Sequence, residues 1–393
     1  MIKELPHSFV RSFNLKVNSS NENLSKDDAF LLLNAVQKLG PITATRLLKE
    51  FKGDPTRIFS SSKAELLKTR GIGKAAVDSL KNTQNIHWVK KERQKIETHK
   101  FSFLNKEKFP LALQEIYDCP AGLYVTGDIP QGPYVAIVGT RIPSIYGRRI
   151  CREVAVDLAS NGFCIVSGLA RGIDAEAHLG ALEAGGKTIA FLGSGLDVIY
   201  PPEHLDLYRR IRINGVVASE FPLGHKANRN TFPMRNRLVS GISSAVVVIE
   251  SASAGGSLIT AQLAADQGRH VYALPGRVDQ ATSSGCHKLI REGATLIRSS
   301  QDIIDDLLPS LSEEELNLIS KSSSNSEKLK DSSVTLNNDE KKIIEILKNG
   351  CLLTIDEICS AANLKHPIVS SNLIMLELNN LIGKRNDGKY EIS

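Results

Sequence analysis

Three tracts of the chain bring together the residue types that grip an anion. In Val138-Gly139-Thr140-Arg141, a glycine lets a charged group approach the backbone, Thr140 can donate a hydroxyl hydrogen bond, and Arg141 adds a planar cationic fork. Ser167-Gly168-Leu169-Ala170-Arg171-Gly172-Ile173-Asp174 repeats the combination of small residues with an arginine. Phe232-Pro233-Met234-Arg235-Asn236-Arg237 sets two arginines around an asparagine beside an aromatic ring, which offers phosphate contacts, a base-edge donor and acceptor, and a stacking surface. At least one of the arginines of this last tract is expected instead to be interior, paired with Glu220 or Glu250. Asp174 and His178, four apart, could face together as metal ligands, but no third ligand stands nearby. An aspartate helix cap beside a packed histidine is therefore expected, with no metal.

These tracts need elements to hold them. Between Tyr134 and Asp306, apolar runs of four to six residues alternate with helical stretches, the pattern of a parallel sheet covered on both faces. Strands are expected at Val135–Val138, Phe163–Val166, Thr188–Leu192, Val216–Ser219, Ala245–Ile249, His270–Ala273 and Thr295–Ile297, each followed by a glycine-containing loop. In a doubly wound sheet those loops lie at the carboxyl ends of the strands, where ligands bind. Val138-Gly139-Thr140-Arg141 is not the G-x-G-x-x-G fingerprint of dinucleotide-binding folds. The tract Leu192–Pro202 can serve as a phosphate cradle or as a plain turn, and Ser253–Thr260 is expected to open a helix with a glycine pair at the same edge of the sheet.

Length and charge are consistent with this organisation. At 393 residues the chain should hold two or three domains, and a formal charge of +6 permits a polyanionic partner without requiring one. From Tyr134 to Arg298 there are fifteen arginines, three lysines and thirteen acidic residues. Arginine suits bidentate phosphate contact and base stacking better than lysine, so this bias favours a nucleotide or nucleic-acid ligand. Six cysteines without a C-x-x-C pair suggest buried, reduced thiols and a cytoplasmic location. No apolar stretch long enough for a signal peptide or membrane span is evident.

The flanks read differently. Asp27 to Leu80 has helical spacing broken by glycines, and Gly71-x-Gly73-Lys74 resembles a helix-hairpin-helix or SAM-like turn, with Leu39-Gly40-Pro41-Ile42 as a degenerate partner. Simple helix-connecting turns fit these short motifs as well. Nine serines between Ser310 and Ser333 suggest a flexible linker. Beyond it, three helices (Asp339–Lys348, Thr354–Ala362, Pro367–Asn380) precede a hairpin turning at Asn386-Asp387-Gly388, an order that resembles a winged helix. The third helix has no Arg or Lys, so an accessory or protein-docking role suits it better than duplex reading.

The ordered set Val-Gly-Thr-Arg (138–141), Ser-Gly-Leu-Ala-Arg-Gly-Ile-Asp-Ala-Glu-Ala-His (167–178), Gly-Ser-Gly-Leu-Asp-Val-Ile-Tyr-Pro (193–201), Phe-Pro-Met-Arg-Asn-Arg (232–237), Gly-Ser-Leu-Ile-Thr-Ala (256–261) and Leu-Pro-Gly (274–276) resembles the DprA/Smf family. The resemblance implies an α/β, Rossmann-like, doubly wound, mostly parallel sheet at 106–308, after an all-α SAM-like or helix-hairpin-helix-like domain at 1–105. A Ser-rich linker at 309–336 and a winged-helix domain at 337–393 complete the expected order. It also implies a non-catalytic protein without cofactor that binds and protects single-stranded DNA, dimerises through its core, and loads a RecA-type recombinase during transformation. By position it marks Gly139, Thr140, Arg141, Ser167, Gly168, Arg171, Lys187, Lys226, Arg235, Asn236 and Arg237 as DNA contacts, with Thr140 in place of the usual serine. The core also resembles lysine-decarboxylase-like (LOG) nucleotide hydrolases, whose Pro-Gly-Gly-x-Gly-Thr-x-x-Glu loop would fall at Ala254–Gln262. The glutamate needed for hydrolysis is missing there, and Gln262 stands in its place.

Overall fold

The structure is a computed structural model, and it describes residues 24–82, 84–326, 336–348, 352–378, 381–385 and 388–392. It divides into two compact units, Met1–Gln94 and Lys95–Ser393. The first is helical among its described residues. Both glycine motifs there start helices: Gly40 precedes Pro41–Glu50 and Gly73 precedes Lys74–Leu80, neither with a side-chain cap. Its apolar centre includes Phe30, Leu31, Leu47, Ile58 and Leu66, all fully or almost fully buried.

The second unit is built on nine strands: β1 (Ser102–Asn105), β2 (Gly122–Val125), β3 (Tyr134–Val138), β4 (Cys164–Ser167), β5 (Thr188–Leu192), β6 (Val216–Ser219), β7 (Ala245–Val248), β8 (His270–Ala273) and β9 (Thr295–Leu296). They form one sheet in the order β1-β2-β6-β5-β4-β3-β7-β8-β9. Neighbours from β6 through β9 pair in parallel, while β2 runs antiparallel to β6 and β1 antiparallel to β2. The fold is therefore α/β, Rossmann-like and mostly parallel. The edge hairpin β1–β2 lies outside the expected strands, because a four-residue antiparallel strand carries little pattern of its own. Since β1 belongs to this sheet, the core begins upstream of residue 106.

Alternate residues of the central strands feed two apolar layers, as the two-residue period of a strand requires. One layer joins Ala136, Val138, Val166, Phe191 and Val246 to Leu238, Ile242 and Ala261 of helices on one face. The other joins Val135, Ile137, Ile165 and Val247 to Val154, Leu158 and Ala177 on the opposite face. Gly180 lets helices Ile145–Ser160 and Ile173–Glu183 pack closely, because a Cβ there would stand 2.8 Å from that of Ala155. The chain steps outward from β3 through β4 and β5 to β6, then returns to the other side of β3 as β7. That reversal places the crevice at the carboxyl ends of β3 and β7.

The serine-rich segment differs from expectation. Glu313–Ser326 is helical, opened by Ser312, whose backbone N–H and hydroxyl both donate to the Glu315 carboxylate while its oxygen accepts the Glu315 N–H. Ile319 packs against the second apolar layer. A reciprocal cap and an apolar anchor outweigh the low helical preference of serine. Helices Asn338–Lys348, Ile355–Ala362 and His366–Leu378 then share an apolar cluster with the hairpin strands β10 (Ile382–Lys384) and β11 (Tyr390–Ile392). Of the expected turn residues, Asn386 and Asp387 lie outside the described residues. No described helix is long and apolar enough to cross a membrane. The described cysteines, all but Cys351, are free thiols, and four of them are buried.

Candidate nucleic-acid interface

A cleft of about 650 Å³ opens where the topology places it. Its walls come from four loops: Gly139–Ile142 after β3, Gly168–Ala170 after β4, the start of helix Thr231–Ile242, and Ser251–Ser257 after β7. Arg141 stands exposed at the mouth and forms no ion pair among the described residues. Its guanidinium lies 5.2 Å from the centre of the Phe232 ring, whose neighbour Tyr200 is 5.7 Å away centre to centre. An unpaired cation beside two partly exposed aromatic rings can hold a phosphate while a base stacks. Arg229, also exposed and without an ion pair among the described residues, lines the same cleft. Across from them, helix Gly256–Asp266 has Gly255 at its cap position and no side-chain cap, and Gly256 and Ser257 of its first turn line the cleft.

Buried polar groups shape the β4 loop from below. Arg235, 4% exposed, donates to the carbonyls of Gly168 and Phe191, and its Nε donates to Asn236 Oδ1 at 3.1 Å. It thereby ties the loop after β4 to the end of β5. A Cβ on Gly168 would collide with that guanidinium. Asp174 accepts the N–H of Gly168 at 3.1 Å and of Ala170 at 3.4 Å. It sits inside helix Ile173–Glu183, not at the cap position, which Gly172 occupies. Burial pushes the Asp174 carboxyl above its ordinary range and Arg235 pulls it back, while burial likewise lowers Arg235. His178 is fully buried: Nε2 accepts the Leu169 N–H, and Nδ1 lies 2.7 Å from Thr188 Oγ1, which itself donates to Ile165 O. Nδ1 must therefore carry the proton, and burial pushes the ring pKa down to about 3. The described residues contain no cluster suited to a metal.

A profile of the DNA recombination-mediator protein A family matches residues 100–308. Protein Smf of Synechocystis is 36% identical over 293 residues, covering 72% of this chain and 73% of its own. The DNA processing protein DprA of Bacillus subtilis is 37% identical, over 68% of this chain and 91% of its own. This chain belongs to the DprA/Smf family. The X-ray structure of DNA processing protein A from Streptococcus pneumoniae matches with a TM-score of 0.63 at 34% identity, over 71% of this chain and 97% of that one. DNA processing protein A of Helicobacter pylori, which binds single-stranded DNA, matches with a TM-score of 0.50 at 33% identity, over 54% and 98%.

Within this DprA/Smf core, the positions expected to touch DNA separate into distinct groups. Gly139, Thr140, Arg141, Gly168, Arg235 and Asn236 line the cleft. Arg171 borders a narrow side recess with Arg141 and Phe232, but its guanidinium is held by Glu203. Lys226 is exposed and adjoins Ala227 of that recess. Three positions the structure does not bring together with the rest. Ser167 is fully buried and donates its hydroxyl to Ile137 O at 2.7 Å, so it has none to offer a ligand. Arg237 is enclosed, paired with Glu220 and donating to Asp118 O at 2.6 Å. Lys187 precedes β5, at the amino ends of the parallel strands, on the side of the sheet opposite the cleft. Conversely, Tyr200, Arg229, Ser257 and Thr260 line the cleft without having been singled out as contacts, while Phe232, expected as a stacking surface, lines it too. The glycine pair ahead of Ser257 was the available signal for Ser257 and Thr260.

Proposed function

We propose that this chain is a non-catalytic single-stranded-DNA-binding protein whose strand enters the cleft at the carboxyl ends of β3 and β7. The observation that carries this reading is Arg141: exposed, unpaired among the described residues, and set against Phe232 at the cleft mouth. Phosphate contact through Arg141 and Arg229 and stacking on Phe232 and Tyr200 read the features common to every single strand. In a duplex the bases are stacked on one another and unavailable to those rings. The H. pylori relative, which binds single-stranded DNA, supports the same assignment. At the position where LOG hydrolases carry their glutamate, the Gln262 amide donates to Asp266, which supports binding rather than hydrolysis.

The chain works as a homodimer through its core and delivers the bound strand to a RecA-type recombinase, as the family resemblance implies. The outermost strand β9 supports the dimer, since both its residues are exposed and Leu296 offers an apolar side chain there. The SAM-like region at 1–105 and the winged-helix region at 337–393 are accessory. Helix His366–Leu378 has no Arg or Lys and exposes Ile368, Ile374 and Met375, a surface suited to protein rather than phosphate. Titrating the full chain with fluorescent single-stranded and duplex oligonucleotides of one sequence tests the central claim. Equal affinity for both would sink it.

A further inference from the structure

The loop that carries Arg141 is held by a carboxylate that lines no part of the cleft. Glu250 follows β7 and is 2% exposed. Its backbone carbonyl accepts the Thr140 N–H at 2.7 Å, while Oε2 accepts the Ser144 N–H at 2.9 Å and Oε1 the Ser144 hydroxyl at 2.6 Å. One residue thus grips both ends of the segment 140–144, with Arg141 and Ile142 between the two grips. Space has been reserved for it. A Cβ on Gly147 would stand 2.5 Å from the carboxylate, and one on Gly139 would stand 2.8 Å from the Glu250 carbonyl oxygen.

The carboxylate lies at the N-terminus of helix Ile145–Ser160, whose cap residue is Ser144. In dinucleotide-binding folds the first helix after the first parallel strand offers that end to a phosphate. Here the chain supplies the anion itself. Helix Gly256–Asp266 is left with its uncapped end toward the cleft.

We propose that Glu250 is a positioning residue for single-stranded DNA: its buried carboxylate replaces a ligand phosphate at the first helix and locks the Arg141 loop in its binding position. The proposal rests on the reading that Arg141 grips DNA. Removing the carboxylate should free the loop, and a small carboxylate from solution should refill the hole.

The test uses the full chain and a fluorescent oligothymidylate at constant ionic strength, with thermal melting recorded in parallel. Glu250→Ala is expected to stay folded and lose about tenfold or more in affinity, equivalent to about 1.4 kcal/mol. Sodium formate should restore much of that loss where the same ionic strength of sodium chloride does not, and it should leave wild-type binding unmoved. A role in folding alone would not produce formate-specific recovery of binding. Wild-type affinity in folded Glu250→Ala overturns the proposal, and so does recovery no better with formate than with chloride. Should Glu250→Ala not fold, Ser144→Ala removes the hydroxyl bond to Oε1 while leaving the carboxylate and the backbone N–H bond to Oε2 in place. It must then bind more weakly than wild type, and unchanged affinity overturns the proposal. Arg141→Ala is measured alongside: if it binds like wild type, the cleft reading itself has failed, whereas weak Arg141→Ala beside normal Glu250→Ala rejects only the role of Glu250.

Discussion

The guanidinium of Arg141 stands 5.2 Å from the centre of the Phe232 ring, although the two residues lie on different loops. If the cleft holds a strand as proposed, that strand meets the two side chains together. Arg141→Ala is expected to weaken single-stranded-DNA binding by about 1.5–3 kcal/mol, the usual range for a hydrogen bond to a charged group. Phe232→Ala should cost about 1–3 kcal/mol through lost stacking. In a double-mutant cycle the double variant should lose less than the sum, because either single change disturbs the shared contact. Strict additivity would mean that the pair does not act as a unit.

Binding should weaken as salt rises, since phosphate contacts release counterions. Replacing Arg141 by alanine should reduce the slope of log affinity against log salt by about 0.7, one single-strand phosphate contact. Measuring that slope for wild type and variant between low and moderate salt checks the contact directly, and an unchanged slope would remove Arg141 from the phosphate path.

Arg237 should behave in the opposite way. Its side chain is 4% exposed and bridges Glu220 and Asp118. Burial pushes the Glu220 carboxyl above its ordinary range, and Arg237 is the cation that restrains this. Arg237→Ala should destabilise the fold by about 3–5 kcal/mol, because a buried charge is left without its partner. DNA affinity of the folded fraction should change little. Denaturant midpoints and oligonucleotide titration separate the two effects.

His178 predicts an acid sensitivity that is independent of DNA. An unfolded histidine takes up a proton near its ordinary pKa of 6.5, whereas the buried ring resists protonation until about 3. Between those values the unfolded state binds more protons, so the contribution of His178 to stability is complete above pH 6.5 and shrinks as pH falls. The limiting slope is about 1.4 kcal/mol per pH unit. His178→Gln, less stable at pH 7, should show a shallower fall between pH 6.5 and 4 in urea unfolding. Parallel curves for variant and wild type would show that His178 carries no such proton.

Much of the core was legible in the sequence, because its inner strands β3 to β7 are buried on both faces and so appear as unbroken apolar runs ended by glycine loops. Thr188–Leu192, Val216–Ser219 and His270–Ala273 are found as expected, and the rest of the parallel strands differ by a residue or so at their ends. The place of the Arg141 loop was legible too, since a glycine closing an apolar run marks the end of a strand, and the loop lines the cleft after β3. The antiparallel strands β1 and β2 and the helix Glu313–Ser326 were not. Their stability comes from a neighbouring strand in one case, and from a reciprocal cap and packing against the core in the other.

The division of labour among the arginines belongs to the tertiary structure. Arg141, Arg171, Arg235 and Arg237 all stand in glycine-rich or aromatic tracts and look alike in sequence. Folding gives Arg171 to Glu203, Arg235 to the carbonyls of Gly168 and Phe191, and Arg237 to Glu220, and leaves Arg141 without an acidic partner among the described residues. These partners lie 17 to 67 positions away, so only the closing of the sheet brings them into reach. A cation's availability to DNA depends on which acids and carbonyls meet it first, and that is fixed by long-range packing rather than by the residues beside it.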